Sequence, residues 1–575
     1  MKQIHPSPLS RAVKSVLNAA ISVIQMFRGR IAIHQLDQNS QRAVALQRET
    51  LMMLLRENAD TEYGRKYGFS GISTVEEYLE KVPLSVYDTY EPYIRRMIHE
   101  GQSNLLTREN PVHYAKTSGS VGVPKYIPLS RRELEIYGRY AGHMTFGVME
   151  EYFRNTRWRL SRPGFVLNLL ELHMTMLPNG VPCSAVSGSL LMPYRKFVRY
   201  FATSPWEVIN TPEQTDSKYL RALFALRERN VILMIGAFMT AAVDTMDYIC
   251  ANWQKLVEDI AGGTISEEAK IPPDLRRACE KQMFADPHRA RELECEFSKG
   301  FDEIIPRIWK KIQLVCCIGT GGFSAYTKRM WRYTGRNVPF SNLNYAASEG
   351  LIASARRTGD TSYVLVPDSG FYEFFPVKDE NAGPKTIEDL EVGEEYELVM
   401  TNLSGLYRYR IQDVVRVTGF YNEAPMLQFI YRMNQIISIA GEKTNEEALD
   451  WSIAQFIKET GLIVHDYSIY AELESKPGHY VILMEPDHIV PREDIPRYRD
   501  VIEARLMQAN PSFGEKIRTG RLGPSELVFV QQQSYQLYRE MMMYRGVSVN
   551  QIKPVRVIDT PFKEKFFFGL RENYD

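Results

Sequence analysis

Thr117-Ser118-Gly119-Ser120-Val121-Gly122-Val123-Pro124-Lys125 places three small hydroxyl residues, two glycines and a lysine within nine positions. A mostly apolar run at 112–115 precedes it, and Tyr126, Ile127 and Leu129 follow. Such a loop turns backbone N–H groups and hydroxyls toward an anion while the lysine adds charge, which makes phosphate the obvious ligand. It is not a P-loop, whose Gly-Lys-Ser/Thr opens a helix. Here Lys125 follows a proline, and Pro128 lacks an N–H and disfavours helical backbone at Ile127. The stretch predicts strand, anion-binding loop, strand. An ordinary solvent-facing Gly/Ser turn has the same composition, so the surrounding chain has to decide.

Outward from the loop, strands and helices alternate. Buried strands are predicted at 164–170, 231–235, 313–318, 363–366, 371–375, 397–401 and 414–420. Helices are predicted at 131–154, 214–229, 240–260 and 288–311. This order predicts an α/β fold with substantial mixed sheets, and the closer spacing of the later strands suits a partly antiparallel or β-barrel-like part. Residues 8–58 carry helical periodicity with Val13, Leu17, Ala20 and Ile24 on one stripe, which predicts core packing. A membrane-surface role for Lys14, Arg28 and Arg30 is the alternative. At 73–77, Ser73 or Thr74 is placed to cap a helix with glutamates in its first turn.

A chain of 575 residues exceeds one compact core. The expected division is a large unit at 1–434 and a small, mobile α+β unit at 435–575, with strands at 467–472 and 479–485 and a helix at 491–509. Lys plus Arg equals Asp plus Glu at 70 each, without the global basic excess of a nucleic-acid binder. Six cysteines without C-x-x-C spacing predict reduced thiols rather than a disulfide framework. The longest apolar stretch, 231–243, is too short to span a bilayer, and 12–33 lacks the unbroken apolar core of a signal peptide. A cytoplasmic protein without a membrane span is expected, with a monomer favoured.

Four further clusters carry chemistry. Cys316-Cys317-Ile318-Gly319-Thr320-Gly321-Gly322 ends an apolar strand in glycines, where a flat ring can approach backbone or the chain simply turns. Asn344-Tyr345-Ala346-Ala347-Ser348-Glu349-Gly350 offers an aromatic ring to flank a base and a carboxylate for Mg²⁺, a hard cation that prefers oxygen. In Tyr407-Arg408-Tyr409-Arg410-Ile411-Gln412-Asp413, the aspartate can accept ribose hydroxyls, as the acidic residue of dinucleotide folds does. It can equally form a cross-strand ion pair with Arg408 or Arg410. Arg432 and the segment 438–446 lie at the expected junction, where Lys443 is placed to reach a phosphate. Lys553, in Asn550-Gln551-Ile552-Lys553-Pro554, is a second such lysine.

In order and spacing these clusters resemble the adenylate-forming superfamily that includes luciferase and acyl-CoA synthetases. More closely, the chain resembles the Gretchen Hagen family of acyl acid amido synthetases, through Thr61-Glu62-Tyr63-Gly64-Arg65, Val82-Pro83-Leu84, Tyr93-Ile94, Val415-Arg416-Val417-Thr418-Gly419-Phe420-Tyr421-Asn422 and Glu442-Lys443-Thr444-Asn445-Glu446. The resemblance implies that ATP with Mg²⁺ activates a carboxylic acid as acyl-AMP, and that an amino acid amine then attacks to give an amide. It assigns Ser118, Gly119, Ser120, Gly122 and Lys125 to the phosphate loop, and Thr320, Gly321 and Tyr345 to adenine. Ser348 and Arg432 join the nucleotide site, Glu349 takes the metal, Asp413 the ribose, and Lys443 and Lys553 the catalytic lysine positions. The acyl pocket falls to 165–195 and 231–240 by family position, including Ser184, Ser187, Phe238 and Met239.

The chain departs from the superfamily pattern at Val121, where Thr or Ser is common, and at Gln412, where a glycine usually precedes the aspartate. Ala346 and Ala347 replace the usual Gly-Ser. A lost hydroxyl hydrogen bond is worth about 0.5–1.5 kcal/mol, too little to abolish an activity. Two other expectations stand beside amide synthesis: thioester formation on coenzyme A or a carrier protein through the same adenylate, and a nucleotide-binding or scaffold protein without turnover.

Overall fold

The structure, a computed structural model, describes residues 8–117, 125–157, 162–170, 172–211, 215–320, 324–342, 344–379, 382–433, 437, 439–440, 442, 444–545, 547 and 552–572. Among them four sheets form. Strands His113–Thr117 and Lys125–Leu129 pair antiparallel with Thr117 opposite Lys125, so the opening stretch has a strand on each side. Its residues 118–124 lie outside the described residues. Pro182–Ser184 joins this sheet in parallel.

A second sheet is wholly parallel, in the order Phe165–Asn168, Val231–Phe238, Leu314–Ile318, Phe340–Ser341. Its three longer strands are almost continuously apolar, as strands covered on both faces require. A third, antiparallel sheet has seven strands, running from Gly370–Pro376 at one edge through Glu395–Asn402, Tyr409–Tyr421 and Ala424–Arg432 to Asn344–Ala346 at the other. Among the described residues no pairing joins its two edges, so it is an open sheet rather than a closed barrel. Beneath it Arg408 and Glu373, both buried, form an ion pair at 2.7 Å, and Arg408 also donates to the carbonyl of Val82.

The last sheet is mixed. Val464–Glu472 and His479–Pro486 pair antiparallel at its centre, and Val557–Ile558 and Glu526–Phe529 flank them in parallel. Its core includes Phe456, Tyr480 and Phe513, with the last two rings stacked 5.0 Å apart. Side-chain ties join this C-terminal unit to the parallel-sheet unit: Tyr326 donates to Asp466, and Arg539 pairs with Asp244 at 3.0 Å and lies over the Tyr326 ring.

Helix Val75–Lys81 begins with a reciprocal cap. Thr74 accepts from the Glu77 N–H at 3.2 Å, and Glu77 accepts from the Ser73 N–H at 2.7 Å. The helix expected over 288–311 is two helices, Pro287–Phe297 and Ile304–Ile308. Left-handed backbone at Gly300 and Glu303 breaks it.

The N-terminal helix Pro8–Ser40 reverses its expected orientation. Val13, Leu17 and Ile24 are exposed, as is Ala20, and the same face carries Val16, Val23 and Phe27, which are 68%, 62% and 61% accessible. The buried stripe is instead Asn18, Ser22, Gln25, Gly29, Ala32 and Leu36. Close approach explains this choice: a Cβ on Gly29 would lie 2.3 Å from the backbone nitrogen of Gly147, in helix Met144–Arg157. Asn18 completes the contact by donating to the carbonyls of Gly164 and Tyr200. All six cysteines are free, four of them buried.

Candidate active site

Side chains from five of the segments singled out above meet in one cleft of about 610 Å³, together with the strand that follows the opening loop. Its walls include Lys125, Thr320, Tyr345, Ser348, Glu349, Asp413, Arg432 and Lys553. Ser118, Gly119, Ser120, Gly122, Gly321 and Lys443 lie outside the described residues.

The carboxylate of Asp413 is its best-defined feature. Asp413 is 2% exposed, receives the Arg432 Nε at 2.6 Å on one oxygen, and receives the Tyr345 hydroxyl at 2.8 Å on the other. Strand pairing sets the first contact, since Asp413 and Arg432 are cross-strand partners. The two arginines nearer in sequence go elsewhere: Arg408 to Glu373 and Arg410 to Glu397. Beside Asp413 the Arg432 guanidinium is raised further above its ordinary range. Burial, then the charge of Asp413, holds the Tyr345 phenol well above its ordinary value, so it acts as a donor. Tyr345 thus holds the Asp413 carboxylate and packs against Phe429 at 6.0 Å.

A bulge aims Asp413. Glu397 faces Val414 and Val399 faces Arg410, so the three residues 411–413 stand opposite the single Leu398. Gln412 takes a left-handed φ of 65° there. The glycine usual at this position has a physical reason, and glutamine occupies it under strain.

Glu349 follows Asn344–Ala346 in a turn held at both ends. Tyr137 donates to the Ala347 carbonyl, Asn402 to the Glu349 carbonyl at 2.6 Å, and Tyr409 to the Glu349 carboxylate at 3.2 Å. Among the described residues no three His, Cys, Asp or Glu side chains cluster as a metal cage. One carboxylate facing a cleft nevertheless fits Mg²⁺, which is held by one or two carboxylates together with substrate phosphates. Lys125 lies 5.0 Å from the ring centroid of Tyr87. Lys553 comes from the C-terminal unit and remains accessible to the cleft although protein surrounds it. Desolvation, then the Arg432 cation, lowers its pKa to about 8, against the pull of Asp413, Glu446 and Glu349. Gly319 closes the strand end, where a Cβ would stand 2.3 Å from the Thr327 hydroxyl.

Tyr137, Tyr409 and Phe429 escaped the sequence reading. Tyr409 has a periodic signal, sitting in the strand that carries Asp413. Tyr137 opens a π-helical segment, Tyr137–His143, for which the sequence has no signature. Ser187 and Phe238 line the cleft as expected, whereas Ser184 and Met239 are not among its lining residues. Ser184 instead bonds His113 at 3.0 Å.

Comparison with known proteins adds an independent line. The GH3 family N-terminal domain matches residues 32–340, the GH3 family central domain 363–432, and the GH3 family C-terminal domain 447–561. Similar proteins include a probable indole-3-acetic acid-amido synthetase, GH3.11, of Oryza sativa subsp. japonica, 29% identical over 93% of this chain and 95% of its own. The jasmonoyl–L-amino acid synthetase GH3.5 of the same plant is 28% identical over 94% and 96%. Among solved structures, the GH3.15 acyl acid amido synthetase has the same fold, with a TM-score of 0.82 at 24% identity over 94% of this chain and 96% of that one.

Proposed function

The chain belongs to the GH3 family, and on that premise we propose that it is an ATP-dependent acyl acid amido synthetase. The observation that carries the reading is the convergence of Lys125, Glu349, Asp413, Arg432 and Lys553, remote in sequence, on one cleft. Asp413, fixed by Tyr345 and Arg432, accepts the ribose hydroxyls. Lys125 and the residues of the opening loop hold the phosphates, and Glu349 would hold Mg²⁺, which supplies charge neutralisation at the phosphate oxygens. Lys443 and Lys553 add positive charge from the small unit, residues 435–575, which moves between the two steps.

In the first step a carboxylate oxygen of the acid attacks the α-phosphorus, and the bond to pyrophosphate breaks. A carboxylate is a poor acylating agent until its oxygen belongs to a leaving group, and AMP is that group. In the second step the amino acid nitrogen attacks the acyl carbon, the bond to AMP breaks, and the amine gives up a proton. The protein supplies placement and electrostatic stabilisation of accumulating negative charge.

The test is a pyrophosphate-release assay with ATP, Mg²⁺ and a panel of carboxylic acids, followed by offering amino acids or coenzyme A. Acid-dependent release that disappears in Asp413→Ala and Lys443→Ala, with amide formed, supports the reading. A thioester without amide overturns the acceptor assignment. Nucleotide binding without release would leave only a binding protein.

A further inference from the structure

The cleft also reaches the N-terminal helix, through a wall the nucleotide does not need. The π-helical segment Tyr137–His143 spans the distance: Tyr137 bonds the loop that carries Glu349, and His143 bonds Gln25. Six residues at the rise of a helix separate these ends by roughly 9 Å. Gly138 and Gly142 line the cleft between them, and a Cβ on either would meet nothing within 4 Å. The facing wall is apolar, with Val166, Val186, Leu190, Ile235 and Phe238.

At the far end stands a directed chain of hydrogen bonds. Arg28 can only donate, so the Tyr194 hydroxyl accepts from it at 3.5 Å and turns its own proton to His143 Nε2 at 3.3 Å. His143 Nδ1 then carries the ring proton and donates to Gln25 Oε1 at 2.8 Å. This tautomer matches a neutral imidazole, whose pKa desolvation lowers to about 4. With its oxygen taken, the Gln25 amide is left with N–H donors toward the cleft.

Resting on the adenylation reading, we propose that this arm is the acyl subsite for an elongated acid whose apolar body ends in an uncharged hydrogen-bond acceptor, such as a ketone or ether oxygen, opposite Gln25. The experiment compares straight-chain acids of increasing length, each with and without a distal keto group. It uses acid-dependent pyrophosphate release and, separately, calorimetric binding of the acid without ATP. The wild type should prefer the keto acid of matching length by about three- to tenfold, the worth of one neutral hydrogen bond. Gln25→Leu should erase that preference, and Gly142→Val should shift the optimum to shorter acids. Equal ratios in wild type and Gln25→Leu overturn the proposal. If no acid releases pyrophosphate, the adenylation reading fails, and the calorimetric ratio alone decides the subsite.

The outer face of the same helix carries a second, independent inference. Residues 1–36 contain Lys2, Arg11, Lys14, Arg28 and Arg30 and neither Asp nor Glu. Their apolar residues Val13, Val16, Val23, Ile24, Phe27 and Ile31 stand exposed. At about 100° per residue, Arg28 and Arg30 fall at the two edges of that face, Arg30 half accessible while paired with Glu150 at 2.6 Å. Among the described residues this helix alone has the length and composition to cross a membrane. Its opposite face, however, is committed to the protein through Asn18, Gln25 and Gly29. A second copy would set like charges side by side, whereas anionic lipid complements them. We infer that the helix lies in the plane of an anionic bilayer surface.

Full-length protein should sediment with phosphatidylcholine vesicles containing phosphatidylserine, less so as salt rises, and not with phosphatidylcholine alone. Val23→Ser with Phe27→Ser should weaken binding about tenfold or more while leaving the unfolding temperature unchanged. A wild type that stays in the supernatant with both vesicles overturns the inference. So does a solution dimer that the double variant dissolves.

Discussion

Asp413 and Gln412 are neighbours that carry opposite energetic signs. The carboxylate is almost wholly buried and paired, while Arg432 keeps 30% of its side chain accessible. Removing the acid strands that cation: Asp413→Ala should lose about 3 kcal/mol of unfolding free energy in urea, the low end for a broken buried pair. Gln412→Gly should gain about 1 kcal/mol, because glycine adopts the left-handed backbone without steric penalty. Nucleotide affinity, read by calorimetry, should survive the second change and not the first. The sequence exposed both residues, one by its chemistry and the other by its departure from a pattern. It offered Arg408 or Arg410 as the ion-pair partner of Asp413 and missed Arg432, because the bulge at 411–413 sets the register and a bulge depends on pairing with another strand.

Helix against helix, the decisive residues are the smallest. Gly29 and Gly147 let two helix backbones come within reach of each other, which is why a polar, small-residue stripe is buried and an apolar one faces out. Gly29→Ala should lower stability by about 1–3 kcal/mol through overpacking, although alanine is the better helix former; thermal unfolding would register it. Periodicity located this helix and gave it the wrong inner face. A moment computed from hydrophobicity ranks a glycine contact as featureless, so the stripe Val13, Leu17, Ala20, Ile24 looked like the core. The strands of the parallel sheet were readable for the opposite reason: burial on both faces left them apolar from end to end.

Over the whole molecule, acid sensitivity gathers in buried groups that must change protonation on unfolding. His113 is buried beside Ser184, and desolvation lowers its pKa to about 4 from an ordinary 6.5. A depressed folded pKa gives a contribution complete above pH 6.5 and lost as pH falls from 6.5 toward 4. Urea denaturation should therefore show stability falling by up to about 1.4 kcal/mol per pH unit across that window from this residue, a slope that His113→Gln removes. The buried carboxyl of Glu133, pushed up to about 8 by desolvation, has the reverse sign, its contribution fading as pH climbs from 4.5 through 8. Neither group was visible in the sequence, since burial comes from distant segments. The α/β order and the clusters at 344–350 and 407–413 were visible, because local patterning carries them.

The N-terminal helix also leaves the ribosome well before the segments that hold it in place. Its anchors for Asn18, Gly164 and Tyr200, are made 146 and 182 residues later. At cellular rates of synthesis the helix then waits on the order of ten seconds with both of its faces bare. Whatever covers it during that interval, chaperone or lipid, meets it before its anchoring segments exist.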